Sequence, residues 1–136
     1  MTALTGAKPL AAMRQAAIEQ VNAAAERARL QYVTPGAAQA MVYLEKAIVS
    51  GSFLAQYPTA TAALGAAQVD WPLLAAEIGI TGASLFEVAQ VFQAKRRQWT
   101  LLAAQIETIR RGVNIDLAAA QSEAAIDALV AGLQWP

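Results

Sequence analysis

The chain has no cysteine and no histidine among its 136 residues. Their absence excludes disulfides and thiolate metal sites, removes the usual zinc ligands, and leaves nucleophilic triads without their customary base. Neither sign of charge dominates, since ten basic residues balance ten acidic ones. A dedicated nucleic-acid binder usually carries a basic excess to displace counterions, so the balance argues against that class. Long apolar runs are also missing. Every twenty-residue window contains charge or a Gly/Pro break, so no transmembrane span is expected, and Met1–Leu10 lacks the apolar core of a signal peptide. Aromatic residues are only 7% of a chain that is 57% hydrophobic, and no stretch alternates apolar and polar residues as a half-buried strand would.

What fills the chain instead is alanine, at 34 of 136 positions. Alanine loses no side-chain entropy on ordering and is the best intrinsic helix former. The expected class is all-α: a small helical bundle in one domain, 1–136, with 1–7 as a candidate disordered start. A chain of this length buries roughly two thirds of its unfolded surface.

The first helix is expected from about Lys8–Pro9 to Val33, with Leu10, Met13, Ala17, Val21, Ala24 and Ala28 on one face. "VTPG" (33–36) then ends it and starts the next. Thr34 suits an N-cap, Pro35 suits the first helical position, and proline disfavours helical geometry just before itself. A phosphate-cradling loop would need more glycine and a Lys-Ser/Thr ending. Ala37, Met41, Leu44 and Ile48 recur at helical spacing and are expected to form the buried stripe of the second helix. That helix ends near Ser50–Gly51 or runs on to Tyr57–Pro58, and "TATAALGAAQ" (59–68) reads as connector or short helix. Asp70 is the expected cap of a short helix with Pro72 in its first turn, closed by Gly79 in a left-handed conformation.

The strongest pattern follows. Ser84 and Glu87 match a capping box, with Thr81 as the alternative cap. Leu85, Val88, Phe92, Lys95, Trp99, Leu102, Ile106, Ile109 and Val113 are then spaced 3-4-3-4-3-4-3-4. This heptad seam predicts a long helix over about 85–111, packed either inside an intramolecular bundle or against a second copy, with Lys95 as the polar register position in the latter case. Gly112 either caps it or is a weak point in a helix reaching Ala120. Ser122 caps a short last helix with the stripe Ile126, Leu129, Val130 and Leu133.

No catalytic or metal-ligating constellation emerges. Serines 50, 52, 84 and 122 are expected at helix ends or in loops, and the carboxylates are dispersed. No catalytic residue, cofactor or metal is therefore assigned. The candidate partner-contact residues are Lys95, Arg96, Arg97, Trp99 and Trp135. Arg96, Arg97, Arg110 and Arg111 lie on the side of the long helix away from its seam, as a solvated face or a surface for an anionic partner. Arg110 and Arg111 would also favour a nearby helix C-terminus.

Several stretches taken together resemble a known set of proteins. "RARLQYVTPGAAQAMVYLEKA" (27–47), "WPLLAAEIGITGASLFEVAQ" (71–90), Trp99, "IETIRR" (106–111) and the final "WP" are similar to small alanine-rich proteins, or C-terminal domains, of bacteriophages and prophages encoded among tail and tail-fibre genes. The likeness covers about residues 26–136. Its most specific parts are Arg29, Tyr32, Thr34, Pro35, Gly36, Gln39, Met41, Tyr43, Leu44 and Lys46, together with "AEIGITG" (76–82). It brings no catalytic motif. It implies a non-enzymatic tail-associated protein, a structural accessory subunit or a tail-fibre assembly chaperone, whose partner is a tail-fibre or baseplate protein and whose place is the virion tail or the host cytoplasm during assembly. Self-association is a further option; a membrane is not expected. The alternative is a small nucleic-acid-binding or regulatory protein using the arginine face.

Overall fold

The computed structural model describes residues 9–33 and 36–136. It is all-α, 76% helical with no strand among the described residues. The helices are α1 (Leu10–Leu30), α2 (Ala37–Gln56), α3 (Ala60–Ala63), α4 (Pro72–Ala75), α5 (Leu85–Ala119) and α6 (Glu123–Ala131), with a 3-10 turn at Gln68–Asp70. They sort into two compact units, residues 34–100 and residues 1–33 with 101–136. Residues 85–100 of α5 belong to the first unit and 101–119 to the second.

In the unit of residues 34–100, Phe53, Leu74, Leu85, Val88, Ala89 and Phe92 form the buried core. Phe53 meets the Trp71 ring edge-on at 5.0 Å between centroids, and Tyr57 closes the aromatic group. The α5 N-terminus is capped as its sequence requires. The Glu87 N–H donates to Ser84 Oγ at 3.2 Å, while the Glu87 carboxylate accepts from the Ala83 N–H at 2.7 Å. Thr81 takes no part in that cap, because its hydroxyl donates to Glu77 Oε1 at 2.6 Å. Gly82 sits where a Cβ would stand 2.9 Å from the Val88 backbone nitrogen, so only glycine lets this loop lie against the first turn of α5.

In the other unit, Ala17, Val21, Leu117, Ala120 and Ile126 form one buried cluster, and Ala25, Ala28 and Ile106 another. The small face of α1 lets α5 and α6 approach closely, and the α6 stripe of Ile126, Leu129, Val130 and Leu133 packs there as expected. The Ser122 hydroxyl caps α6 by accepting from the Ala125 N–H at 3.1 Å. Trp135 packs back on both clusters.

Some expectations are corrected, and others that the sequence left open are decided. α1 stops at Leu30, short of Val33. Thr34 and Pro35 fall outside the described residues, and α2 begins at Ala37 behind Gly36, whose φ of 124° is open to glycine alone. α2 runs through Ser50 and Ser52 to Gln56, so these serines lie inside a helix, and 59–68 holds the short α3 with Thr59 as its cap. Asp70 does not cap α4. Trp71, restricted by the proline after it, is the N-cap, and the helix starts directly at Pro72. Gly79 has the left-handed φ of 86° but turns the loop beyond the helix, its N–H donating to the Gly82 carbonyl at 2.7 Å; Ala76 is the C-cap. α5 passes through Gly112 to Ala119, because packing of Val113 and Leu117 offsets the ~1 kcal/mol cost of a helical glycine. Arg110 and Arg111 are therefore far from the helix end, whose last turn holds no base.

Candidate docking surface

The largest departure concerns α2. Met41, Leu44 and Ile48 are 68%, 62% and 50% exposed, and Ala37 is exposed with them. The stripe expected inside the core faces outward. α2 buries its opposite side through Ser50 and Phe53, with Lys46, Val49 and Leu54 half-buried beside them. Turned this way, α2 brings Phe53 and Tyr57 onto Trp71 and buries Phe53 completely among Leu74, Leu85, Val88, Ala89 and Phe92, so the aromatic contacts add to the burial of apolar area.

Polar side chains lock that orientation. Ser50, fully buried, donates to the Ala47 carbonyl and accepts from Gln93 Nε2 at 2.7 Å, and the same Nε2 donates to the Ala47 carbonyl at 2.8 Å. Nothing in the sequence singled out Ser50 and Gln93. The one available signal was a serine within an otherwise apolar helix segment.

Lys46 is the second lock. Its Nζ lies 2.6 Å from the Glu77 carboxylate and 5.1 Å from the Phe92 ring centroid, with both charged side chains under a quarter exposed. For Glu77, burial raises the pKa, but the hydrogen bonds from Lys46 and Thr81 and the positive charges of Lys46 and Lys95 outweigh it, and the net shift is downward from 4.5. A folded pKa below the unfolded one means that the contribution is complete above the ordinary carboxylate range and is lost as pH falls through the folded value. The Lys46→Met variant is thus expected to melt several degrees below wild type at pH 7, with the gap narrowing below pH 4.5. Thermal unfolding by circular dichroism across pH 7 to 3 checks this, and a gap constant with pH would refute the ion-pair account.

The proposed contact residues are distributed as follows. Lys95, Arg96, Arg97 and Trp99 belong to the unit of residues 34–100, and Trp135 to the other. Lys95 occupies a seam position of α5 yet is exposed, as are Arg96 and Arg97; Trp99 and Trp135 are half-buried. The α5 seam is filled within the chain: Leu85, Val88 and Phe92 in one unit, Ile106 and Val113 in the other, pack against this chain's own helices. Arg96 and Arg97 make no ion pair among the described residues. Arg110 is different. It donates through Nε to Glu107 at 3.0 Å and through Nη1 to Asn22 at 3.1 Å. Arg29 reaches the same carboxylate at 2.9 Å. The hydrogen bond from Arg110, helped by the charges of Arg110, Arg29 and Arg111, holds the Glu107 carboxyl below its ordinary range against a smaller desolvation effect, and raises Arg110 in turn. These groups tie α1 to α5.

A shallow groove of about 650 Å³ runs between α5 and the C-terminal segment, lined by Leu101, Ile109, Trp135 and Pro136 among others, with no ionisable side chain in its wall. The Tyr32 hydroxyl donates to the Pro136 carbonyl at 2.8 Å. Among the described residues no three carboxylates gather as metal ligands would, and no helix is long and apolar enough to cross a membrane. Comparison with protein-family models, with curated proteins and with solved structures finds no match to this chain.

Proposed function

We propose that this chain is a non-enzymatic bacteriophage tail-associated protein that works by helix-mediated contact, as an accessory subunit of a tail-fibre or baseplate component or as its assembly chaperone. The observation supporting this reading is the outer face of α2. Three large aliphatic side chains, Met41, Leu44 and Ile48, are at least half exposed there. Met41 and Leu44 lie within residues 27–47, the most specific part of the resemblance, and Ile48 directly follows it. Contiguous exposed apolar surface is a recognised mark of protein contact. Meanwhile the polar side chains that could carry chemistry, Ser50, Gln93, Lys46 and Glu77, are engaged in holding helices together.

The Ile48→Glu variant is expected to keep the wild-type melting temperature, because the side chain is half exposed, and to lose at least tenfold in capture of a tail-fibre or baseplate protein from induced cells. Quantitative pull-down with mass spectrometry reads this, and a wild-type chain that retains no tail component sinks the reading. Mass spectrometry of purified virions separates the two roles, since a subunit stays in the particle and a chaperone leaves.

The exposed pair Arg96 and Arg97 supports a second reading, a nucleic-acid-binding or regulatory protein. It requires duplex DNA binding that falls steeply with salt.

A further inference from the structure

We propose that the outer face of α2 pairs with the same face of a second copy, as a short parallel two-stranded coiled coil. The inference rests on the docking reading above and deepens it: a second copy covers this face, and the tail component is captured by the dimer so formed. Three observations point to a copy of this chain. The first is spacing: Ala37, Met41, Leu44, Ile48 and Ala55 fall at heptad positions and are all exposed, on a helix whose other side is already packed, while Gly51, in the same register, lies at the edge of the stripe beneath Gln93 and Arg96 of α5. The seam of α5, the other place where copies could pair, is filled by intramolecular partners.

The second observation is residue choice. Met41, Ile48 and Ala55 fall in one heptad position (a), and Ala37, Leu44 and Gly51 in the other (d). At the centre of the stripe Ile48 holds the first position and Leu44 the second, the combination that within parallel coiled coils favours two strands. The small exposed residues at 37 and 55 let two backbones approach on either side of the Met41–Leu44–Ile48 centre.

The third is charge. At about 100° per residue, Glu45 and Gly51 lie on opposite borders of the stripe. Glu45 is exposed, and the Arg96 guanidinium lies over Gly51, 3.9 Å from where a Cβ would stand. One border is thus acidic and the other basic. In a parallel pair the acidic border of each helix faces the basic border of its partner, whereas an antiparallel pair sets like borders together. Charge therefore selects the parallel arrangement.

The absence of cysteine allows a direct test on the full chain. Ala37→Cys and Ala55→Cys place single thiols near opposite ends of α2, at exposed positions. Parallel pairing predicts that each variant forms a disulfide dimer with itself under mild oxidation, and that a mixture of the two gives little cross-linked heterodimer. Sedimentation equilibrium of the unmodified chain should show reversible dimers at micromolar concentration. Glu45→Arg should weaken them about fivefold, and Glu45→Arg with Arg96→Glu should restore them. A chain that stays monomeric at several hundred micromolar, thiols that pair only between positions 37 and 55, or a charge swap without effect would each overturn the proposal. Capture of a tail component by a monomeric chain would overturn it while leaving the docking reading in place; dimers that capture no tail component would do the reverse.

Discussion

Replacing Phe53 by alanine is expected to destabilise the protein by about 3–5 kcal/mol, the range for deleting a fully buried phenylalanine. Phe53 has no exposed surface and holds both the apolar and the aromatic part of its unit's core. Its ring contacts Trp71 edge-on and Tyr57 at a tilt, each at 5.0 Å between centroids, so truncation removes both ring contacts as well as the buried area. Because Trp71 is an intrinsic probe, urea unfolding followed by tryptophan fluorescence should show a lowered midpoint and a changed native emission spectrum. A midpoint within experimental error of wild type would mean that Phe53 does not organise this core.

Leu117→Ala is expected to cost about 2–5 kcal/mol, in the upper part of that range, and it tests the other unit. Leu117 is fully buried, and three of its close companions, Ala17, Val21 and Ala120, are small or stiff. The size of the penalty depends on how far neighbours can collapse into the vacated space. Alanine has no rotamer to change and valine has little freedom, so the cavity should remain open. Differential scanning calorimetry reads the loss. A cost below about 1 kcal/mol would show that α1 and α6 close onto α5 more readily than these contacts imply.

The elements whose signals are local were legible in the sequence. The heptad run from Leu85 to Val113, the Ser84–Glu87 box and the Ser122 cap each depend on residues within a turn or two of one another, and each appears in the structure. The α6 stripe was equally readable, because a short helix with one apolar side has only that side to bury. The cap ahead of Pro72 was misread. At Asp70 the restriction on the pre-proline residue outweighed the capping preference of the carboxylate.

The candidate site was legible only in part. The basic residues Lys95, Arg96 and Arg97 were placed on α5, and the tyrosine–proline stretch ahead of α2 was marked as distinctive. That the adjoining stripe faces outward was not. α2 is apolar on two sides, Met41–Leu44–Ile48 on one and Val49–Phe53 with Leu54 on the other. Periodicity gives both at the same pitch and ranks neither. The ranking needs partners distant in sequence: Trp71 and Phe92 for Phe53, Gln93 for Ser50, and Glu77 for Lys46.

The sequence by itself determined that this chain is helical, where its long helix starts and how two of its helices are capped, since alanine content, a 3.5-residue repeat and side-chain caps act over distances of a turn or two. Only the tertiary structure decided which side of α2 is inside, that Ser50 is a buried acceptor, and that Arg110 is bound while Arg96 stands at the surface. Those outcomes rest on competition among contacts between residues tens of positions apart, and a local pattern carries no measure of which contact removes the most surface from water.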